Sequence, residues 1–443
     1  MNTLIIKDSN IRSLKKGIWL YFILIIFEGA LRKWVLPGLS NQLLIIRDPV
    51  AIWLLLSASN AGLKYFNGYA NAVFSFTIIA FFTALTIGHH NFWVALFGAR
   101  ITLIHFPLIF IIGKVFSRED ILAFGKFIVI LSIPMVFLTM SQFYSPQSAW
   151  VNRGVGGNLE GAGFAGANGY FRPPGTFAFT NGNSAYFSFA ASYIIYFLFY
   201  VKSINKILIN TSAFCLILAI PLSISRTLFF SVALSTIFLV LSLGNDKKKV
   251  GQIITSIIGL IIIGYVIGSL TVFQTSSLAF TDRFTTANEN EGGGEGLQAV
   301  IGVFTNRILG GLLTAFNQLF DGSLSFWGQG IGMGTNVGSQ LLTGKVDFLI
   351  AEGEWGRIVG EVGPLLGLGM ILIRSSLTFS IVRQSFNLLI KKDPLPWMLL
   401  SYSFFQIFQG GWSQPTNLGF FVMGAGLTIA AIETHKENEF NGI

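Results

Sequence analysis

The chain is 443 residues long, 52% apolar and only 11% charged, with a formal net charge of +9 and a mean hydropathy of +0.66. A soluble domain carries roughly 25% charged residues to keep its surface hydrated, so a water-soluble globule of this length is excluded and lipid is the solvent that fits. The basic excess falls in short segments between apolar runs, which reads as topology signalling against anionic lipid and not as nucleic-acid binding.

In chain order, Lys7, Arg12, Lys15 and Lys16 precede the first apolar stretch. That stretch runs from Gly17 past Glu28, Arg32 and Lys33 with no small-x-small cleavage site, so it predicts an uncleaved first span. Apolar runs fall near residues 17–36, 41–59, 68–87, 93–114, 122–142, 183–201, 207–224, 227–243, 251–272, 360–382, 396–411 and 415–433. Each is close to the ~20 residues that a crossing helix needs, although Arg47, Asp48 and Pro49 interrupt the second. The pattern predicts an all-α fold, a single integral-membrane domain over residues 1–443 with about twelve transmembrane helices. Glu28 with Arg32 and Asp48 with Arg47 are expected to form ion pairs between the first two spans.

With the N-terminus in the cytoplasm, the inner loops collect Lys64, Lys114, Arg118, Lys126, Lys202, Lys206, Lys247, Lys248, Lys249, Arg383, Lys391, Lys392 and Lys436. This is the positive-inside pattern, and it places both termini in the cytoplasm. Outside, arginine prevails: Arg32, Arg47, Arg100, Arg153, Arg172, Arg226, Arg283, Arg307 and Arg357 stand beside Lys33 and Lys345. Topology needs no such split, whereas arginine's fork of donors suits phosphate or carboxylate. An anionic, phosphorylated substrate on that face is one reading; headgroup anchoring and local ion pairs are the other.

Two outer segments are long, near 144–182 and 273–350, and loops of that length carry function or disorder. Within the second, Leu297, Val300, Ile301, Phe304, Ile308, Leu312 and Phe316 recur at helical spacing, which predicts an amphipathic interfacial helix over 296–320. The Gly-rich run Trp327–Gly334 follows no strand, so it predicts a tight, backbone-exposed turn and not a dinucleotide site.

Absences narrow the chemistry. No phosphate-binding loop, Asp-x-Asp pair or nucleophile elbow occurs, and His89, His90, His105 and His435 have no zinc spacing. The lone Cys215 sits in an apolar run and allows no intrachain disulfide. Neither metal nor cofactor is expected.

Three outer motifs remain. Phe171-Arg172-Pro173-Pro174-Gly175 leads to Asn181-Gly182-Asn183 at the mouth of a helix, where the Asn can cap. Ser225-Arg226-Thr227 opens the next span outside, where Ser225 or Thr227 can cap and Arg226 can snorkel. In the third, residues 351–364, Glu354, Arg357, Ile358 and Glu361 share a helical face. Carboxylates and an arginine entering a membrane are costly unless paired or functional.

The order of these motifs is Arg-x-x-Gly-x-Phe with a following Asn, Ser-Arg at a helix start, a long outer loop, Gly-x-Gly and Glu-x-Gly. It resembles the O-antigen polymerase and ligase superfamily of bacterial polysaccharide assembly, of the Wzy and WaaL types, over roughly residues 140–380. The resemblance implies a bacterial inner-membrane enzyme working on the periplasmic or outer side. It would transfer glycans from undecaprenyl pyrophosphate by metal-independent inverting glycosyl transfer, without nucleic acid and alongside membrane lipid and other assembly proteins. Arg172, Arg226 and Arg357 would hold the pyrophosphate or substrate, Glu352 or failing it Glu354 would be the base, and Glu361 and Asn183 would support them. The ligase pattern has a His where this chain has Glu352. Polymerisation of repeat units is the leading expectation; a ligase, a lipid-linked-sugar flippase and a non-catalytic scaffold are the alternatives.

Overall fold

The structure is a computed structural model describing residues 2–201, 203–244, 268–287, 325–345, 349–351 and 353–440, with single positions between 251 and 317. Helices dominate. In order they are α1 (Asn2–Ala30), α2 (Arg47–Asn60), α3 (Gly68–Thr86), α4 (Phe92–Arg100), α5 (Leu108–Val115), α6 (Arg118–Tyr144), α7 (Thr180–Tyr200), α8 (Lys206–Leu222), α9 (Arg226–Ser242), α10 (Thr271–Ala287), α11 (Asn336–Thr343), α12 (Glu354–Ile390), α13 (Leu395–Phe408) and α14 (Pro415–Phe440). Strand structure among the described residues is one antiparallel pair, β1 (Phe164–Ala165) with β2 (Phe171–Arg172).

Among the described residues, six helical stretches are long and apolar enough to cross a membrane: Gln42–Asn60, Gly68–Thr86, Phe92–Val115, Arg118–Tyr144, Glu354–Ile390 and Pro415–Lys436. Three shorter apolar helices accompany them. Phe92–Val115 and Pro415–Lys436 are 83% and 78% buried by other helices and form the centre, whereas Gly68–Thr86 is only 28% buried. Large apolar side chains such as Trp93, Ile207, Phe379 and Ile390 face outward. An outward apolar surface with backbone satisfied inside each helix is how a chain lives in lipid. This is a membrane protein.

Two sets of contacts mark the two ends of the bundle. At one, which we call the loop end, Lys33 Nζ donates to Gly175 O at 2.7 Å and Trp34 stacks on Trp150. At the opposite end Arg118 grips Asp393 with two nitrogens at 2.7 and 3.0 Å, His435 Nδ1 lies 3.0 Å from the same carboxylate, and Lys15 pairs with Asp120. Ser117 and Asp120 close a capping box there and fix the start of α6.

Several expectations need correction. Glu28 does pair with Arg32, but Arg47 also turns to Glu28, and the partner of Asp48 is Arg100, whose Nη1 lies 2.6 Å from both carboxylate oxygens. His105 bridges Asp48 to Tyr21 OH, so a buried polar chain replaces the simple pair. Arg47 and Asp48 do not pair with each other because a π-helical turn, Ile101–His105, packs with α5 against α2 and brings Arg100 and His105 to Asp48. Residues 273–287, at the start of the long outer segment expected over 273–350, are helical in α10. The helix expected over 296–320 and the run 251–272 fall largely outside the described residues.

Candidate functional site

The third motif forms a re-entrant half-helix. A straight helix would set residues twenty apart about 30 Å apart, yet Arg374 Nη1 donates to Glu354 Oε1 at 2.9 Å across those twenty positions. The break is at Gly363, with φ 78° and ψ 173°, immediately before Pro364. Glu354–Val362 therefore folds back along Pro364–Arg374, and a Cβ at Gly367 would stand 2.9 Å from Val359 Cα. Gly363 needs its positive φ and its missing side chain, because a Cβ there would overlap the Phe326 carbonyl.

The Gly-rich run explains how a broken helix survives there. Pro364 has no N–H for the Gly360 carbonyl, and the turn at Gly363 frees the Glu361 carbonyl. Gln329 N donates to Gly360 O at 2.9 Å and Gly330 N to Glu361 O at 2.8 Å. The tight turn expected over Trp327–Gly334 is thus a backbone plug for the helix break. Irregular backbone at membrane depth persists only where protein satisfies it in this way.

Inside the hairpin, Arg357 donates from Nε and Nη2 to the two Glu354 oxygens, both at 2.9 Å, and from Nη1 to Glu361 Oε2 at 2.5 Å. Gly334 N donates to Glu361 Oε1 at 2.8 Å. Arg374 also donates to Ile407 O and Gly410 O at 2.9 Å each, and its guanidinium lies 3.8 Å over the Trp412 ring. All four charged residues are buried. Beside them a cavity of about 40 Å³, lined by Thr102, Ile331, Met370 and Trp412 as well as the charges, has room for about three waters. Sequence reading passed over Arg374; the available signal was an arginine inside an otherwise apolar run.

The other two motifs meet at the loop end. Arg172 ends β2, opposite Phe164. The connecting turn reaches α10, where Arg283 Nη1 donates to Gly166 O at 3.2 Å and Asn168 bonds Asp282. A Cβ at Gly166 would stand 2.8 Å from Ile224 and 3.5 Å from Arg172 Cγ, so the hairpin lies on the α8–α9 turn. There Ser225 caps α9 through Leu228 N, and Ser184 Oγ donates to Ser225 Oγ at 2.8 Å. Arg226, the first residue of α9, is buried, so it does not snorkel to solvent.

The turn after Arg172 is clamped from three sides. Gln142 accepts from Gly175 N at 2.7 Å and donates to Gly175 O, and Lys33 reaches the same carbonyl. Thr176 Oγ1 donates to Ile26 O at 2.6 Å. Asn183 is not the helix cap. The N-cap position of α7 is Phe179, and the Asn183 amide donates to Pro173 O and Thr139 Oγ1, both at 3.2 Å. It ties the turn to α6 because Pro173, lacking an N–H, offers only its carbonyl.

The clusters share a depth. Ser235 bonds Ser401 and Trp397 Nε1 donates to Phe238 O, so α9 and α13 run antiparallel. Nine residues back from Ser235, about 13 Å along α9, stands Arg226; nine residues on from Ser401, two past the end of α13, stands Gly410, the acceptor of Arg374. Glu352 lies outside the described residues, one position before the Gly353 that leads α12. Among the described residues no group of His, Cys, Asp and Glu could hold a metal.

No protein-family model matches the chain, and no curated protein matches it in sequence.

Proposed function

We propose that this protein polymerises undecaprenyl-pyrophosphate-linked oligosaccharide repeat units on the outer side of a bacterial inner membrane. It would do so as a metal-independent inverting glycosyltransferase of the O-antigen polymerase and ligase type. The observation that carries the reading is that Arg226, beside the Arg172 hairpin and Arg283, stands level with the base of the re-entrant half-helix. Fixed guanidinium groups at the depth of a carboxylate-bearing re-entrant segment suit the chemistry.

In this mechanism an acceptor hydroxyl attacks the anomeric carbon of the donor sugar from the face opposite the pyrophosphate. The new C–O bond forms as the bond to the phosphate oxygen breaks, and the pyrophosphate leaves with the electron pair. Arg172 and Arg226 hold the departing charge; a carboxylate takes the hydroxyl proton. Both Glu354 oxygens are occupied by guanidinium groups, so the base is assigned to Glu352. Arg357 is likewise committed to Glu354 and Glu361 and shapes the half-helix instead of binding phosphate. The proposal includes about twelve crossings, both termini in the cytoplasm and the loop end outside, because Lys15, Lys391, Lys392 and Lys436 lie in or beside the Asp120 and Asp393 clusters of the opposite end.

A transporter of lipid-linked sugar is favoured by one observation, the discontinuous α12. Against it, the carbonyls freed by the break are taken by Gln329 and Gly330. The test is synthesis by purified protein in lipid from an undecaprenyl-pyrophosphate oligosaccharide, without nucleotide or added metal. A glycan ladder that Arg172→Ala, Arg226→Ala and Glu352→Gln each abolish supports the polymerase. Addition of a single finished glycan to a foreign acceptor supports a ligase. Movement of intact substrate across vesicles with no new glycosidic bond overturns the enzymatic reading.

A further inference from the structure

We infer that Arg374 is a positioning residue that sets the re-entrant half-helix against the rest of the bundle. In this role it fixes the N-terminal end of that half-helix, two positions after the proposed base in sequence. The inference rests on the polymerase reading only for its activity readout. The half-helix Glu354–Val362 is joined to the body of α12 through a turn at Gly363, and glycine is the least constrained residue there. Its far end has one described charged tie across the hairpin, the 2.9 Å bond from Arg374 Nη1 to Glu354 Oε1. Arg357 also grips Glu354, but it sits on the same half-helix three residues on and cannot fix that element relative to anything else.

The geometry around Arg374 is that of an anchor. Its Nε and Nη2 are spent on the Ile407 and Gly410 carbonyls at the end of α13, and Trp412 stacks beneath its plane at 3.8 Å. With the guanidinium immobilised, its remaining nitrogen presents one fixed donor to Glu354. Lysine would bring the charge without the planar fork and could not serve all three acceptors in their separate directions. Arg374 is 1% exposed on the side chain, so it acts through Glu354 and not on substrate.

The test follows amide hydrogen exchange across residues 354–362 of the purified protein in lipid. Arg374→Gln is expected to speed exchange in that stretch by about tenfold while α6 exchanges as in the parent. In glycan synthesis Arg374→Gln should lower kcat by about tenfold or more, with KM for the lipid-linked donor changed less than about twofold. Equal exchange with and without Arg374 would overturn the inference, as would a rise in KM at unchanged kcat. If the parent makes no glycan, the polymerase reading fails while the exchange rates still decide the anchor. Arg374→Lys covers the case in which Arg374→Gln does not fold, with the same two readouts expected to move in the same direction.

Discussion

At the scale of single residues, buried charge and close backbone approach set the strongest constraints. Glu28 serves two arginines at 3.1 Å each, and all three side chains are buried. Glu28→Gln leaves two guanidinium groups without their carboxylate, which should cost about 3–5 kcal/mol. The check is a thermal or denaturant unfolding curve in detergent beside the parent. Gly29 is constrained differently, since a Cβ there would overlap the backbone of residues 176–178 in the clamped turn. Gly29→Ala should destabilise by about 1–3 kcal/mol. It should also loosen the turn that carries Arg172, read as faster hydrogen exchange at Gly175 and Thr176. The pairing of Glu28 with Arg32 was legible in sequence, its second partner Arg47 was not, and neither was the constraint on Gly29: a Gly within an apolar run has no local mark, and its partner lies some 150 positions away, as the Thr176 to Ile26 bond shows.

At the scale of elements, α12 and the Gly-rich run are one unit. Pro364 removes a donor, Gly363 turns the chain, and Gln329 and Gly330 supply the missing bonds. Gly363→Ala combines a positive φ with a clash against Phe326 O. It should therefore cost at least about 1–3 kcal/mol and open the hairpin. Hydrogen exchange across residues 354–362 is expected to quicken, while helix content by circular dichroism stays close to the parent. The acidic and basic residues of this motif were legible in sequence as a shared helical face. The fold-back was not, because helical periodicity is local and cannot say whether the segments before and after Gly363 continue in one direction. Likewise, Asn183 was legible as a hydrogen-bonding group at a helix mouth, but which carbonyl it takes depends on where the Pro173 turn is packed.

At the scale of the whole molecule, the two ends of the bundle are held by different means. The loop end is stitched by backbone carbonyls to Lys33, Gln142 and Thr176. The opposite end depends on Asp393, faced by Arg118, His435 and the Leu395 N–H. Burial by itself would raise the Asp393 pKa, but its bonds to Arg118, the charge beside it, the Leu395 N–H and His435 outweigh that and hold it below the ordinary value. A carboxylate whose pKa is lower in the folded state stabilises the fold above its unfolded pKa, about 3.9, and loses that contribution as pH falls through the folded value. Melting temperature should therefore show an Asp393-dependent fall below about pH 4. Asp393→Asn should lower the melting temperature at neutral pH and remove that component of the acid fall. An unchanged acid profile in the variant would show that the clasp does not govern this end.

By itself the sequence determined the solvent, the helical class and the residue types available for chemistry. Hydropathy and charge scarcity are sums over local composition, and lipid reads them without regard to contacts. The tertiary structure alone decided that Arg47 serves Glu28 while Arg100 serves Asp48, that Arg172 and Arg226 lie on one hairpin-and-turn assembly, and that Arg374 reaches Glu354. Those pairings are choices among chemically equivalent arginines and carboxylates. Only the approach of helices far apart in the chain brings one candidate within hydrogen-bond range and leaves the others out of reach.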